Sequence, residues 1–266
     1  MWHNAVWFEP LQKSLKQAGY SSIAIDLLPG ERFLVGFTQR EIVADLERTI
    51  GELLAHENDN TELVIVGHSQ GGLVAQSCLL NSPYLKSRTR GVVLMGTFPL
   101  GGTFAEVSII QKRAIPQPTS FYNHIGILGI LFFGRVLSKK YMQHIFLRPT
   151  TDLNSTEMKR YADMILNAPA DDMITMSHFP DSRVKMISTI PALILGAESD
   201  IIYPPSLVKE GFAKRFPSAS HVVVRSQAHC FMDPCFVQDS EGEFHKYADT
   251  WFDHPFELLQ WLKKSI

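Results

Sequence analysis

The chain has 266 residues, 45% of them apolar and 20% charged, with a net charge of -2. That composition fits one folded α/β domain with an insertion; it excludes a disordered chain, and the charge leaves no electrostatic footprint for nucleic acid. Three cysteines, Cys78, Cys230 and Cys235, are too few for a disulfide framework and show no zinc-type spacing, so reduced thiols are expected, with a Cys230–Cys235 pair only in an exported protein.

Residues 1–11 lead into an amphipathic helix that ends near Ala18, with Gly19 as its natural C-cap. Residues 22–27, Ser-Ile-Ala-Ile-Asp-Leu, read as a strand closed by Pro29-Gly30. Residues 38–57 read as a helix: Thr38 and Glu41 form a capping box, and Ile42, Val43, Leu46, Ile50, Leu53 and Leu54 recur at helical spacing. Asn58-Asp59-Asn60 is a loop.

The most informative stretch comes next. The apolar run Leu63-Val64-Ile65-Val66 enters Gly67-His68-Ser69-Gln70-Gly71, and a helical pattern follows at once through Val74, Ala75, Cys78 and Leu79. Gly-x-Ser-x-Gly between strand and helix is the context of a nucleophile elbow. The sharp turn strains the serine backbone and pushes the hydroxyl over the sheet edge. Gly67 and Gly71 are expected where a Cβ would collide with a neighbouring element. The helix N-terminus then faces developing negative charge with free N–H groups.

Residues 91–97 form another buried-type strand. The first carboxylate after it is Glu106, which excludes an acid at its end. Strand–helix alternation stops over residues 98–188, too long for a plain loop, and an inserted helical lid is expected there. Its apolar run at residues 125–133 is too short to span a bilayer and reads as a helix over the core or a roof over an acyl pocket. A second lid helix starts at Asn154 or Ser155. His124, His144 and His178 read as packed or surface side chains, without a metal constellation.

The sheet resumes at residues 190–196, and Asp200 follows in the turn, with Glu198 as the alternative acid. Residues 205–216 read as a helix and 221–225 as the last strand, followed by a loop holding His229. Residues 252–256 cap a final helix through Leu258, Leu259, Trp261 and Leu262.

Gly67-His68-Ser69-Gln70-Gly71-Gly72 resembles the elbow of the α/β-hydrolase superfamily, in its lipase and esterase branches. Ala18-Gly19-Tyr20 followed by residues 22–30 is similar to the stretch that precedes that elbow. The resemblance implies a mostly parallel sheet with flanking helices. Its core comprises residues 1–97 and 189–266, and residues 98–188 form the lid. It implies Ser69, Asp200 and His229 as nucleophile, acid and base, in the chain order of the fold. It also implies an oxyanion hole made by the N–H of Gln70 and a second donor near Trp2.

Trp2-His3-Asn4-Ala5 looks like residues that follow the oxyanion His-Gly-x of plant-esterase-like members, so Met1 falls about where the oxyanion residue belongs. A natural start upstream of Met1 is therefore expected, and such a segment could carry a targeting signal; without one, no signal peptide is read and the location is cytoplasmic. The implied activity is cofactor-free hydrolysis of a carboxylic ester of a small or apolar substrate through an acyl-serine intermediate. No metal, no nucleic-acid partner and no stable membrane insertion are expected. Serine at position 69 argues against epoxide hydrolase or haloalkane dehalogenase chemistry, in which the elbow residue is aspartate. Carbon–carbon hydrolysis, hydroxynitrile-lyase-like chemistry and a non-catalytic ligand-binding role are the alternatives the same fold supports.

Overall fold

A computed structural model of the chain describes residues 5–26, 39–55, 61–97, 99, 190–200, 203–213, 215–225, 229, 231, 236–238, 244–246, 251–253 and 255–266. The expected lid at 98–188 lies outside these, apart from Pro99.

A 3-10 turn (Ala5–Phe8) leads into helix α1 (Glu9–Gln17). Pro10 occupies the first turn, where its missing N–H costs no intrahelical bond. The helix ends in a Schellman motif. Tyr20 N–H donates to Leu15 O at 2.9 Å and Gly19 N–H to Lys16 O at 3.1 Å, while Gly19 takes φ +89. Gly19 thus closes the helix, as its position predicts.

The expected strand at residues 22–27 does not form over its described part. Residues 21–26 belong to no ladder, and the Ile23 side chain is 65% exposed. The segment is tied down by side chains instead. Gln12 Nε2 donates to Ser22 O, and Ala5 N–H donates to Asp26 Oδ1. A β-rich composition makes a strand only when a neighbouring strand takes up its backbone groups, and among the described residues none does.

Helix α2 (Gln39–Leu54) precedes β1 (Leu63–His68), α3 (Gln70–Asn81), a short α4 (Pro83–Arg88) and β2 (Thr89–Met95). The sequence reading missed α4. Its cap is Ser82, whose hydroxyl accepts from Leu85 N–H at 3.0 Å, followed by Pro83 at the first helical position. Then come β3 (Ala192–Ala197), α5 (Pro205–Ala213) and β4 (Ser220–Val224). A missed antiparallel pair, β5 (Phe236–Gln238) and β6 (Phe244–Lys246), follows, so β4 is not the last strand. Helix α6 (Phe256–Ser265) ends the chain.

Strands β1 to β4 form one parallel sheet in the order β1-β2-β3-β4. The register sets Val66 opposite Val93, Leu94 opposite Ile194 and Leu195 opposite Val222. Both faces of its centre are buried, which explains the unbroken apolar runs of β2 and β3. On one face Val92, Leu94 and Ile194 pack with Val43 of α2, Val74 and Leu79 of α3, and Phe212 of α5. On the other, a Cβ on Gly91 would meet Trp261 and Ile266, so α6 lies directly over β2. Cys78 is buried in the first of these cores, and burial pushes its thiol up to about 12. Cys230 and Cys235 lie outside the described residues. Among the described residues no helix is long and apolar enough to cross a membrane.

Candidate active site

The turn between β1 and α3 is sharp enough to put Ser69 at φ +52, ψ -120. It is the one residue other than glycine with positive φ among the described residues. Such backbone strain costs on the order of 1–3 kcal/mol and persists only where neighbours over-determine it. Here the neighbours come from the end of the adjacent strand and the residues just past it. Ser69 N–H donates to Met95 O at 2.9 Å, and the Thr97 hydroxyl donates to Ser69 O at 2.6 Å.

The glycines around the turn differ in what they permit. A Cβ on Gly67 would lie 2.5 Å from Gly71 O and 2.7 Å from Gly72 Cα, so strand and helix meet there backbone to backbone. Gly71, expected to be equally tight, has open space at its Cβ position. The second close approach belongs to Gly72, whose Cβ would strike the Thr97 side chain. The helix turns the position after Gly71 towards β2, and the five-residue motif does not include it.

Ser69, Asp200 and His229 lie beyond the C-terminal ends of β1, β3 and β4, and the fold brings all three together. His229 Nε2 is 3.1 Å from Ser69 Oγ, and His229 Nδ1 is 3.0 Å from Asp200 Oδ2. The three are buried, Asp200 and His229 with only 3% exposed. A carboxylate oxygen accepts, so Nδ1 carries the imidazole proton. Nε2 is then the acceptor facing the Ser69 hydroxyl. Asp200 Oδ1 is also used, accepting from Tyr203 N–H at 2.9 Å. Glu198, the alternative acid, is held at the sheet edge by its backbone, its N–H donating to Val224 O at 3.0 Å.

Two residues that the sequence reading passed over hold the histidine. His68 Nε2 donates to His229 O at 2.7 Å, and the two rings lie 5.0 Å apart. The carbonyl can only accept, so His68 carries its proton on Nε2. On the other side the Tyr203 ring sits 5.2 Å from the His229 ring. Burial and the nearby Asp200 push the Tyr203 phenol up, so it stays protonated. His68 lay in plain view inside the elbow motif, but nothing in the pattern tied it to a loop 161 residues away.

A family model described as "Alpha/beta hydrolase family" matches residues 1–236. The chain belongs to the alpha/beta hydrolase family. Solved structures agree on the fold. A thermophilic esterase from Thermogutta terrifontis is 20% identical with a TM-score of 0.65, over 98% of this chain and 86% of that one. A bromoperoxidase from Bacillus anthracis is 19% identical with a TM-score of 0.59, over 85% and 81%. An epoxide hydrolase is 14% identical with a TM-score of 0.63, over 99% and 87%. No curated protein matches the chain.

Within this hydrolase fold, Gln70 opens α3, and its N–H is among those that a helix start leaves without an intrahelical partner. Trp2, the other expected oxyanion position, lies outside the described residues. Among the described residues no group of three or more His, Cys, Asp or Glu is placed to hold a metal ion.

Proposed function

We propose that the chain is a serine hydrolase that cleaves a carboxylic ester of a small or apolar substrate through an acyl-serine intermediate, without a cofactor. The observation that carries this reading is the hydrogen-bonded line from Asp200 through His229 to Ser69, at 3.0 and 3.1 Å. A serine hydroxyl is a weak nucleophile at neutral pH, so it needs a base within reach.

In this reading Ser69 Oγ attacks the ester carbonyl carbon and its proton passes to His229 Nε2. Asp200 keeps the imidazole in the required tautomer and stabilises the imidazolium. The N–H of Gln70 donates to the oxyanion, and the segment at Trp2 supplies a second donor. Collapse of the intermediate expels the alcohol with the proton from His229, and water repeats the sequence on the acyl-serine.

The test is intact mass after treatment with a fluorophosphonate, with Ser69→Ala alongside. A single adduct on the wild type that Ser69→Ala abolishes is expected, together with a loss of ester turnover on the order of 10⁶ in kcat. A folded wild-type protein that acquires no adduct overturns the reading.

A further inference from the structure

The peptide group that joins Ser69 to Gln70 has two polar ends, and they face opposite ways. The unit is planar and trans, so its C=O and its N–H point in antiparallel directions. Fixing one end therefore fixes the other. The carbonyl end is Ser69 O, which accepts from Gly72 N–H at 3.0 Å and from the Thr97 hydroxyl at 2.6 Å. The other end is the Gln70 N–H, the donor that the proposed reaction turns on the oxyanion.

The two bonds to Ser69 O do different things. The bond from Gly72 lies within the first turn of α3, and by itself it leaves the peptide plane free to rock about its own direction. The bond from Thr97 comes from outside the helix, from the chain just past β2, and stops that rocking. Thr97 is held firmly enough to do so. Its side chain is buried, and a Cβ on Gly72 would lie 2.7 Å from its Oγ1, so the threonine fills the space that the glycine leaves. A β-branched side chain is also stiff at χ1. The chain that carries it is braced on both sides: Met95 O accepts from Ser69 N–H, and Gly96 N–H donates to Leu195 O on β3, both at 2.9 Å.

We propose that Thr97 is a positioning residue for the oxyanion hole: its hydroxyl clamps the Ser69–Gln70 peptide by the carbonyl and so aims the Gln70 N–H at the substrate oxygen. The inference rests on the serine-hydrolase reading and deepens it. When the bond from Oγ to the carbonyl carbon forms, the C=O π pair moves onto oxygen and the Oγ proton goes to His229 Nε2. The Gln70 N–H donates to that oxygen and keeps its own proton. The charge it meets polarises the whole peptide group, and Ser69 O becomes a better acceptor at the far end. The Thr97 bond therefore tightens as the oxyanion forms. It relaxes when the π bond re-forms and the alcohol leaves with the proton from His229. An interaction stronger in the transition state than in the ground state raises kcat without tightening substrate binding.

The experiment compares the full-length wild type with Thr97→Val and Thr97→Ser. Valine keeps the branched shape against Gly72 and removes only the donor, while Ser69 O retains its bond from Gly72. Serine keeps the donor. Losing an oxyanion donor outright costs roughly 10²–10³ in kcat, and one that is present but mis-aimed costs less. On p-nitrophenyl acetate, Thr97→Val is expected to lower kcat roughly tenfold with KM within about twofold of wild type, and Thr97→Ser to stay within about threefold. Affinity for phenylboronic acid, which forms a tetrahedral adduct on serine, should weaken in Thr97→Val by roughly the same factor as kcat. On the matching thionoester, whose sulfur accepts hydrogen bonds poorly, the loss should be smaller. A thermal melt fixes the folded fraction so that rates are compared per folded molecule. Thr97→Val that turns over as fast as wild type overturns the inference. So does a loss carried by KM alone, a Thr97→Ser as slow as Thr97→Val, or an equal loss on ester and thionoester, which would put the defect on Ser69 Oγ. A wild type that fails to label with a fluorophosphonate removes the hydrolase reading itself, and this inference falls with it.

Discussion

The two halves of the site are held in different ways. On the Ser69 side, backbone does the holding: Ser69 is fixed by a strained turn, a glycine contact and hydrogen bonds between its own peptide groups and Met95 and Thr97. On the His229 side, side chains do it: Asp200, His68 and Tyr203 surround His229 with hydrogen bonds and rings. The contrast teaches where each half is fragile. The first should fail sterically, when a Cβ is added. The second should fail chemically, when a donor or acceptor is exchanged at constant shape.

The largest effect is expected from such an exchange. Asp200→Asn is nearly isosteric, but its amide cannot accept from Nδ1–H and also reproduce the bond from Tyr203 N–H. It should lower kcat on the order of 10⁴ while leaving the fold intact. A variant that kept its rate would break the comparison. Adding a methyl to the other half should do the reverse. Gly67→Ala and Gly72→Ala should each cost roughly 1–3 kcal/mol in denaturant unfolding, with activity lost in proportion to the displaced turn. His68→Phe removes one donor to the His229 carbonyl at similar ring size. It should cost about 1 kcal/mol, read mainly as slower turnover. Gly71→Ala is the smallest and sharpest test. Its Cβ site is open, so the change should be below about 1 kcal/mol and in the stabilising direction, as for other glycines in helices.

The same contrast explains what the sequence could and could not disclose. Ser69, Asp200 and His229 were legible because each follows a parallel strand, and parallel strands end on one common edge. The strands themselves were legible because two-sided burial writes an unbroken apolar run. What escaped depends on neighbours across the sheet. Thr97 lies 28 positions from Ser69 and His68 lies 161 from His229, and no local periodicity encodes either pairing. Tyr203 stands before two prolines, and nothing in its local sequence ties it to His229. The error over Gly71 and Gly72 has the same origin: the motif gives the turn, whereas Thr97, just past β2, decides which glycine is tight. The strand expected at residues 22–27 failed for want of a ladder, and the β5–β6 pair, three residues to a strand, was too short to announce itself.

One contact at the far side of the sheet bears on how the protein is made. The Ser14 hydroxyl on α1 sits against the carbonyls of Phe252 and Asp253, at 3.0 and 2.7 Å, and the Phe8 and Phe252 rings lie 5.5 Å apart. These partners are separated by 238 and 239 residues. During synthesis the first helix therefore emerges on the order of 10–50 s before its docking site exists. It must wait on the ribosome as an uncommitted amphipathic segment, and its docking must follow the emergence of residues 252–253.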